Sequence, residues 1–314
     1  MQRTTRFILS VAVIALLGAG CADNNKTVAV SGNSSAPPQT ATSTTAAAQT
    51  KPEAVTATVD GGAKEFAYNT TVTSVKAGPV KVSLTNNGAQ EHQATLVRLH
   101  PGVDVAAIAA AGASDPTGAA VFKLFDAAGG PNGVAPGATV SSTQVLAPGN
   151  YLMACFIPDP TDGVPHAAKG MIQPFTVADN PAITDLKSVK LGTASTPEAG
   201  LTEFAFNVPD TVTATDTVHI NNTGTQPHEM AIYKLADGKT TDDMKAFLLS
   251  TGAPTGPPPF SPAGGVSALA PGTEITVDVN LKPGSYALIC FLPDTAGSGK
   301  AHFELGMLKQ VSAA

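Results

Sequence analysis

Charge is scarce in this chain. Asp, Glu, Lys and Arg together make up only 13% of its 314 residues, and the formal net charge is −6. Lys and Arg nowhere gather into a basic patch, which argues against nucleic acid as a partner. Long helical patterns are also scarce. With 30 Gly and 25 Pro interrupting a chain that is 43% hydrophobic, the composition points to an all-β protein with many turns. No Ser-His-Asp order and no paired-carboxylate motif stands out, so hydrolytic chemistry has no visible seat. Cysteine and histidine are few as well, three and six residues, and their placement is the most informative feature of the sequence.

Two of the three cysteines lie in a motif that occurs twice. The first copy runs Leu146-Ala-Pro-Gly-Asn-Tyr151-Leu-Met-Ala-Cys155-Phe-Ile-Pro158-Asp159 and continues to His166 and Met171. The second runs Leu281-Lys-Pro-Gly-Ser-Tyr286-Ala-Leu-Ile-Cys290-Phe-Leu-Pro293-Asp294 and continues to His302 and Met307. His92 and His228 stand at the same distance upstream of the two methionines. Further matches accompany them: Glu65-Phe-Ala-Tyr-Asn69 with Glu203-Phe-Ala-Phe-Asn207, and Asn86-Asn-Gly-Ala-Gln-Glu-His92 with Asn222-Thr-Gly-Thr-Gln-Pro-His228. The repeating unit is therefore a whole domain rather than a solenoid element. We expect domains over 53–178 and 195–314, joined by a linker over 179–194.

Within each repeat, alternation marks strands with one face on a core. Val80, Val82 and Leu84 alternate with polar neighbours, as do Ile275, Val277 and Val279. Short strands with Pro-Gly and Asn-Gly turns read as a β-sandwich. Amphipathic inserts at 104–111, 121–128 and 241–250 are predicted as short helices. Tyr151, Met153 and Cys155 share one strand face, as do Tyr286, Leu288 and Cys290, and both faces are predicted to point inward. The two tyrosines sit where a Greek-key corner is tied by a hydroxyl bonding back to the backbone.

Two His, one Cys and one Met form the ligand set of a mononuclear blue-copper site, because thiolate and thioether suit Cu(I) while imidazole suits Cu(II). The order His…Cys-x10-His-x4-Met, or Cys-x11-His-x4-Met in the second copy, resembles the cupredoxin family. The resemblance implies two tandem Greek-key β-sandwich domains with short helical inserts, each binding one copper and passing electrons to a redox partner protein. The implied ligands are His92, Cys155, His166 and Met171 in one domain and His228, Cys290, His302 and Met307 in the other. It also implies that His166 and His302 lie near an apolar docking surface, to which Gly256-Pro-Pro-Pro-Phe260 and Gly130-Pro131 are candidates to contribute. Copper oxidases and copper nitrite reductases place a further His directly beside the copper-binding Cys. Here the neighbours are Ala154 and Phe156, or Ile289 and Phe291, so the chain is expected to be a carrier and not an enzyme. Alternatives at this stage are copper buffering or delivery, a Cys155–Cys290 disulfide, and a metal-free interaction module. Only His100 and His219 fall outside the repeated set, and both are expected at the surface.

The N-terminus has its own pattern. Arg3 and Arg6 precede an apolar stretch from Phe7 to Leu17, which is short for a membrane span and reads as a signal peptide over 1–21. Leu17-Gly18-Ala19-Gly20-Cys21 resembles the lipobox of bacterial lipoproteins, with Gly18 at the position where Leu is usual. It implies lipidation at Cys21 and an extracytoplasmic, membrane-anchored protein. The alternative is an ordinary secreted protein cut near Ala19 or beyond. Residues 22–52 are rich in Ser, Thr, Ala, Gln and Pro, bury little, and are expected to form a disordered tether.

Overall fold

The computed structural model describes residues 51–115, 117–193, 196–212, 217–251 and 256–314. The expected signal peptide, Cys21 and nearly all of the expected tether lie outside the described residues. The first half carries strands β1 (Glu53–Val59), β2 (Ser74–Lys76), β3 (Gly78–Asn86), β4 (Thr95–Leu99), β5 (Phe125–Ala127), β6 (Thr139–Leu146), β7 (Gly149–Ala154) and β8 (Ile172–Ala178). The second carries β9 (Glu198–Thr202), β10 (Ala205–Asn207), β11 (Thr211–Val212), β12 (Thr217–Asn222), β13 (His228–Leu235), β14 (Phe260–Leu269), β15 (Glu274–Asp278), β16 (Gly284–Ile289) and β17 (Leu308–Ala313). Helix α1 (Val105–Ser114) follows β4, and α2 (Thr241–Leu248) follows β13.

Each half is a β-sandwich. One layer of the first half is the five-stranded sheet β2-β8-β7-β4-β5, and its counterpart in the second is β11-β17-β16-β13-β14. The opposite layers of the two halves are one continuous seven-stranded sheet, β1-β3-β6-β15-β12-β9-β10. The seam is the antiparallel pair β6/β15, with Ser141 opposite Asp278 and Gln144 opposite Ile275. Closing two sheet edges on each other removes unpaired N–H and C=O groups that would otherwise invite aggregation. Side chains reinforce the seam: Lys81 Nζ meets Asp278 Oδ2 at 2.6 Å on the solvent face.

The alternating strands are placed as predicted. Val80, Val82 and Leu84 of β3 and Ile275 and Val277 of β15 are buried, and their polar neighbours form a ladder outside, including Ser83–Ser141 and Thr85–Thr139 hydroxyl pairs. Both predicted tyrosine corners form. Tyr151 donates to the Ala147 carbonyl and Tyr286 to the Lys282 carbonyl, each at 2.8 Å. These bonds fix the turns that launch β7 and β16, the strands that carry the two cysteines.

Three expectations need correction. The insert at 121–128 is not a helix: a 3-10 turn over Ala119–Lys123 leads into β5, which pairs with β4. Phe125 and Ala127 are buried on one side of that edge strand, so a strand pairing outcompetes a short helical pattern there. Gly130-Pro131 is not a surface element either. It is buried against the second half, with Pro131 bridged to Val266 and the Gly130 carbonyl accepting from Ser267 N. Gly130 has φ +103°, and a Cβ there would run into the Ala94 carbonyl, so the approach requires glycine. His219 projects off the core as expected but is largely covered, flanked by Glu198 and Glu274 at 3.6 and 3.4 Å. His100 is exposed and meets Asp126.

Candidate metal centres

Each half brings its Cys and two of its His together at one end of the sandwich. The first His is set by the segment before β4 or β13. In that segment a buried Asn (Asn86, Asn222) acts as an internal brace. Asn86 Nδ2 donates to the Gln90 and Val134 carbonyls at 2.7 and 2.8 Å, and Asn222 Nδ2 donates to Gln226 and Leu269, both at 2.8 Å. His92 is further paired with Val134 through both backbone groups. The cysteine ends the inward face of its strand, as alternation predicts.

The loop after the cysteine is folded tightly onto it, despite its length. Cys155 N donates to Met171 O, Ala167 N to Cys155 O, and Met171 N to His166 O. The second half repeats the set through Cys290, Met307, Phe303 and His302. Asp159 and Asp294 act as turn residues in these loops. Asp159 accepts from Thr161 N and pairs with Lys169, and Asp294 accepts from Ala296 N and Ser298 N. His166 and His302 then open short 3-10 turns, His166–Lys169 and His302–Leu305.

The resulting clusters are compact and completely buried. His166 Nδ1 lies 3.2 Å from His92 Nδ1, and Cys155 Sγ lies 3.4 Å from His166 Nδ1 and 3.9 Å from His92 Nδ1. In the second half, His228 Nδ1 and His302 Nδ1 are 3.1 Å apart and Cys290 Sγ is 3.3 Å from His302 Nδ1. In each cluster the donor atoms of the two His and the Cys all lie within 4.8 Å of one another. Donors at roughly 2.0 Å (N) and 2.3 Å (S) from one ion, about 110° apart, would be separated by roughly 3.4 and 3.6 Å. The observed spacing therefore fits a single first-row ion. Met171 and Met307 are also fully buried and are tied by backbone to the Cys and second His of their loops. Both cysteines are free, each facing its own two His, which removes the disulfide alternative.

Burial keeps these groups neutral in the absence of metal. Burial pushes the Cys155 thiol up to about 12 and the Cys290 thiol well above its usual value. Burial, aided by the neighbouring His, lowers His166 and His302 to about 4. At neutral pH without metal, each site thus holds a neutral thiol and neutral imidazoles. A thiol must lose its proton to ligate. Backbone N–H groups are already aimed at the sulfurs, from Gln93 to Cys155 and from Glu229 to Cys290, both at 3.5 Å.

The surroundings of the two sites differ, a feature that the repeat hides. In the first, His92 Nε2 meets Glu65 Oε1 and His166 Nε2 meets Gln90 Oε1, both at 3.0 Å. In the second, His228 Nε2 and His302 Nε2 have no hydrogen-bond partner, and Glu203 stands 3.7 Å from His228. Burial works against the Glu65 charge, but hydrogen bonds from His92, Ala89 and Gln90 outweigh it and lower its pKa. Sequence reading matched Glu65 to Glu203 without assigning either a role; their recurrence with the ligands was the available signal. Phe66 and Phe204, next in sequence, pack on His166 and His302 with ring centroids 4.8 and 5.1 Å away. His166 and His302 are 0% exposed, so neither reaches the surface that the family resemblance implies.

The two β-sandwiches and the order of the converging ligands fit the blue-copper motif in both halves. No family model and no curated protein matches the chain. Among solved structures, the chain is similar to auracyanin from Roseiflexus castenholzii, at 21% identity over 39% of this chain and 99% of that one, with a TM-score of 0.25. It is also similar to auracyanin A, a "blue" copper protein from Chloroflexus aurantiacus, at 21% identity over 41% and 100% of the chains and a TM-score of 0.27. A multicopper oxidase aligns over 84% of this chain and 89% of that one, at 14% identity and a TM-score of 0.22. At such scores the functional reading rests on this chain's own residues.

Proposed function

We propose that this chain is a copper-binding electron carrier with two type 1 sites, tethered outside the cytoplasmic membrane through a lipid at Cys21. The observation that carries the reading is the convergence, twice, of two imidazole Nδ1 atoms and one thiol sulfur in a fully buried pocket closed by a methionine loop. Bound copper supplies one-electron chemistry by alternating between its +1 and +2 states. His92, Cys155 and His166, with Met171, hold one ion; His228, Cys290 and His302, with Met307, hold the other. The backbone bonds that tie Cys, His and Met of each loop together fix the donors before metal arrives, so little rearrangement is required when charge changes. The N–H groups of Gln93 and Glu229 stabilise negative charge on the sulfurs. Burial excludes water from the ligands.

Carrier function, as opposed to catalysis, is supported by the histidine count: four of six are consumed by the two sites, and the others, His100 and His219, lie apart on carboxylate partners. The redox partner is a protein of the cell envelope. The test is rapid mixing of the copper-loaded protein with a one-electron reductant and then with an oxidant. Reversible uptake and return of two electrons per chain supports the carrier reading. Copper that exchanges readily onto a chelator but does not cycle redox state contradicts it and favours copper delivery.

A further inference from the structure

A cleft of about 310 Å³ opens between the two halves; none of the proposed copper ligands lines it, but their chain neighbours Glu91, Gln93, Phe156, Glu229 and Phe291 do. It falls within the size range of small-molecule sites, which favour domain boundaries. Its walls are aromatic and come from both halves: Phe122 and Phe125 from the first, and Tyr233, Phe260 and Phe291 from the second. Tyr233 stands edge-on to both Phe260 and Phe291. Two carboxylates, Glu91 and Glu229, also line it, one from each half.

The polar groups are incompletely used. Tyr233 donates to Glu91 Oε1 at 2.8 Å, while the second Glu91 oxygen has no partner in the protein. Glu229 accepts from Phe291 N and Asn132 Nδ2. Gln93, only 8% exposed, lines the cleft, and its side-chain amide makes no hydrogen bond. A largely buried side chain whose amide has no partner in the protein is left to water or to a group bound in the cleft. Asp159 reaches the wall too, but it is paired with Lys169. No Lys or Arg lines the cleft among the described residues. Aromatic faces beside carboxylates that no Lys or Arg pairs with form a setting that attracts organic cations.

We propose that this cleft binds a small aromatic ammonium compound, its charged nitrogen donating to Glu91 and to the Gln93 amide oxygen and its ring lying against the phenylalanine walls. The cleft contains none of the copper ligands, so binding is tested on metal-free protein. The probe is 2-phenylethylamine, still cationic at pH 8, titrated calorimetrically into the whole chain, with the uncharged 2-phenylethanol as its near-isostere. The expected result is saturable binding of one amine per chain, at least about tenfold tighter than the alcohol. Glu91→Gln is expected to remove most of that preference. Leu248→Trp, which adds bulk to a cleft-lining position on α2 away from both metal sites, is expected to abolish binding while leaving the fold intact. Absence of amine binding, equal binding of amine and alcohol, or binding unchanged in Leu248→Trp overturns the proposal.

Discussion

Removing the carboxylate behind the first histidine should affect the two sites unequally. Glu65 and Glu203 occupy equivalent positions and both anchor the loop ahead of the first His. Glu65 accepts from Ala89 N and Gln90 N, and Glu203 from Thr225 N and Gln226 N. Only Glu65 also bonds its histidine, at 3.0 Å, against 3.7 Å for Glu203 and His228. In Glu65→Ala and Glu203→Ala the loop anchoring is lost in both, so the difference between them isolates the bond to the ligand. Outer-shell partners of a metal-bound His are worth about 10–100-fold in metal affinity, or about 1.4–2.7 kcal/mol. Copper affinity is measured by competition with a chelator, reading site one in a Cys290→Ser background and site two in a Cys155→Ser background. Glu65→Ala should weaken its site by about 10–100-fold more than Glu203→Ala weakens the other. Equal losses, or a larger loss at the second site, would refute the reasoning.

Four further outcomes are expected. With Cys155 at about 12 and His166 at about 4, only the thiol proton must leave on metal binding between pH 6 and 8. Affinity at the first site should therefore rise about tenfold per pH unit, and a slope near zero or near two in a pH series of chelator competitions would contradict the protonation states. Below the unfolded value of 6.5, the depressed His166 and His302 are protonated more readily in the unfolded chain, so their contribution to metal-free stability is lost as pH falls from 6.5 toward 4. Replacing both with Gln should flatten that part of a denaturation–pH profile. Gly130→Ala should destabilise by about 1–3 kcal/mol through a forced backbone shift at the junction of the halves, whereas Gly137→Ala, where a Cβ meets nothing, should cost less in urea denaturation. Tyr286→Phe should cost more than Tyr151→Phe, at about 0.5–1.5 kcal/mol per bond, because Tyr286 both donates to Lys282 O and accepts from Lys282 N.

Much of each half was legible because its signals are local. Alternation placed Val80–Leu84 and Ile275–Val279 on the core, the Pro-Gly-x-Tyr turns predicted the corners, and recurrence in order singled out the His and Cys that converge. The join between the halves was not legible. β6 pairs with β15 through backbone groups, and nothing in the sequence of Ser141 to Gln144 marks a partner strand in the other half. The burial of Gly130-Pro131 follows from that join, since only a facing strand makes a Gly-Pro segment internal. The segment at 121–128 misled because a short apolar pattern cannot separate a helix from an edge strand. The contrast between Glu65 and Glu203 was hidden for another reason: identical residues at matching positions differ by 0.7 Å in their reach to the histidine, a difference set by packing.

The most direct measurement is a Cu(II) titration of the folded chain, followed by visible absorption with a copper count. The account predicts two coppers per chain and an intense visible thiolate-to-copper charge-transfer band that colours the protein blue, halved in Cys155→Ser or Cys290→Ser and absent when both are replaced. Copper bound without that band, or a band that survives the loss of both cysteines, would contradict it.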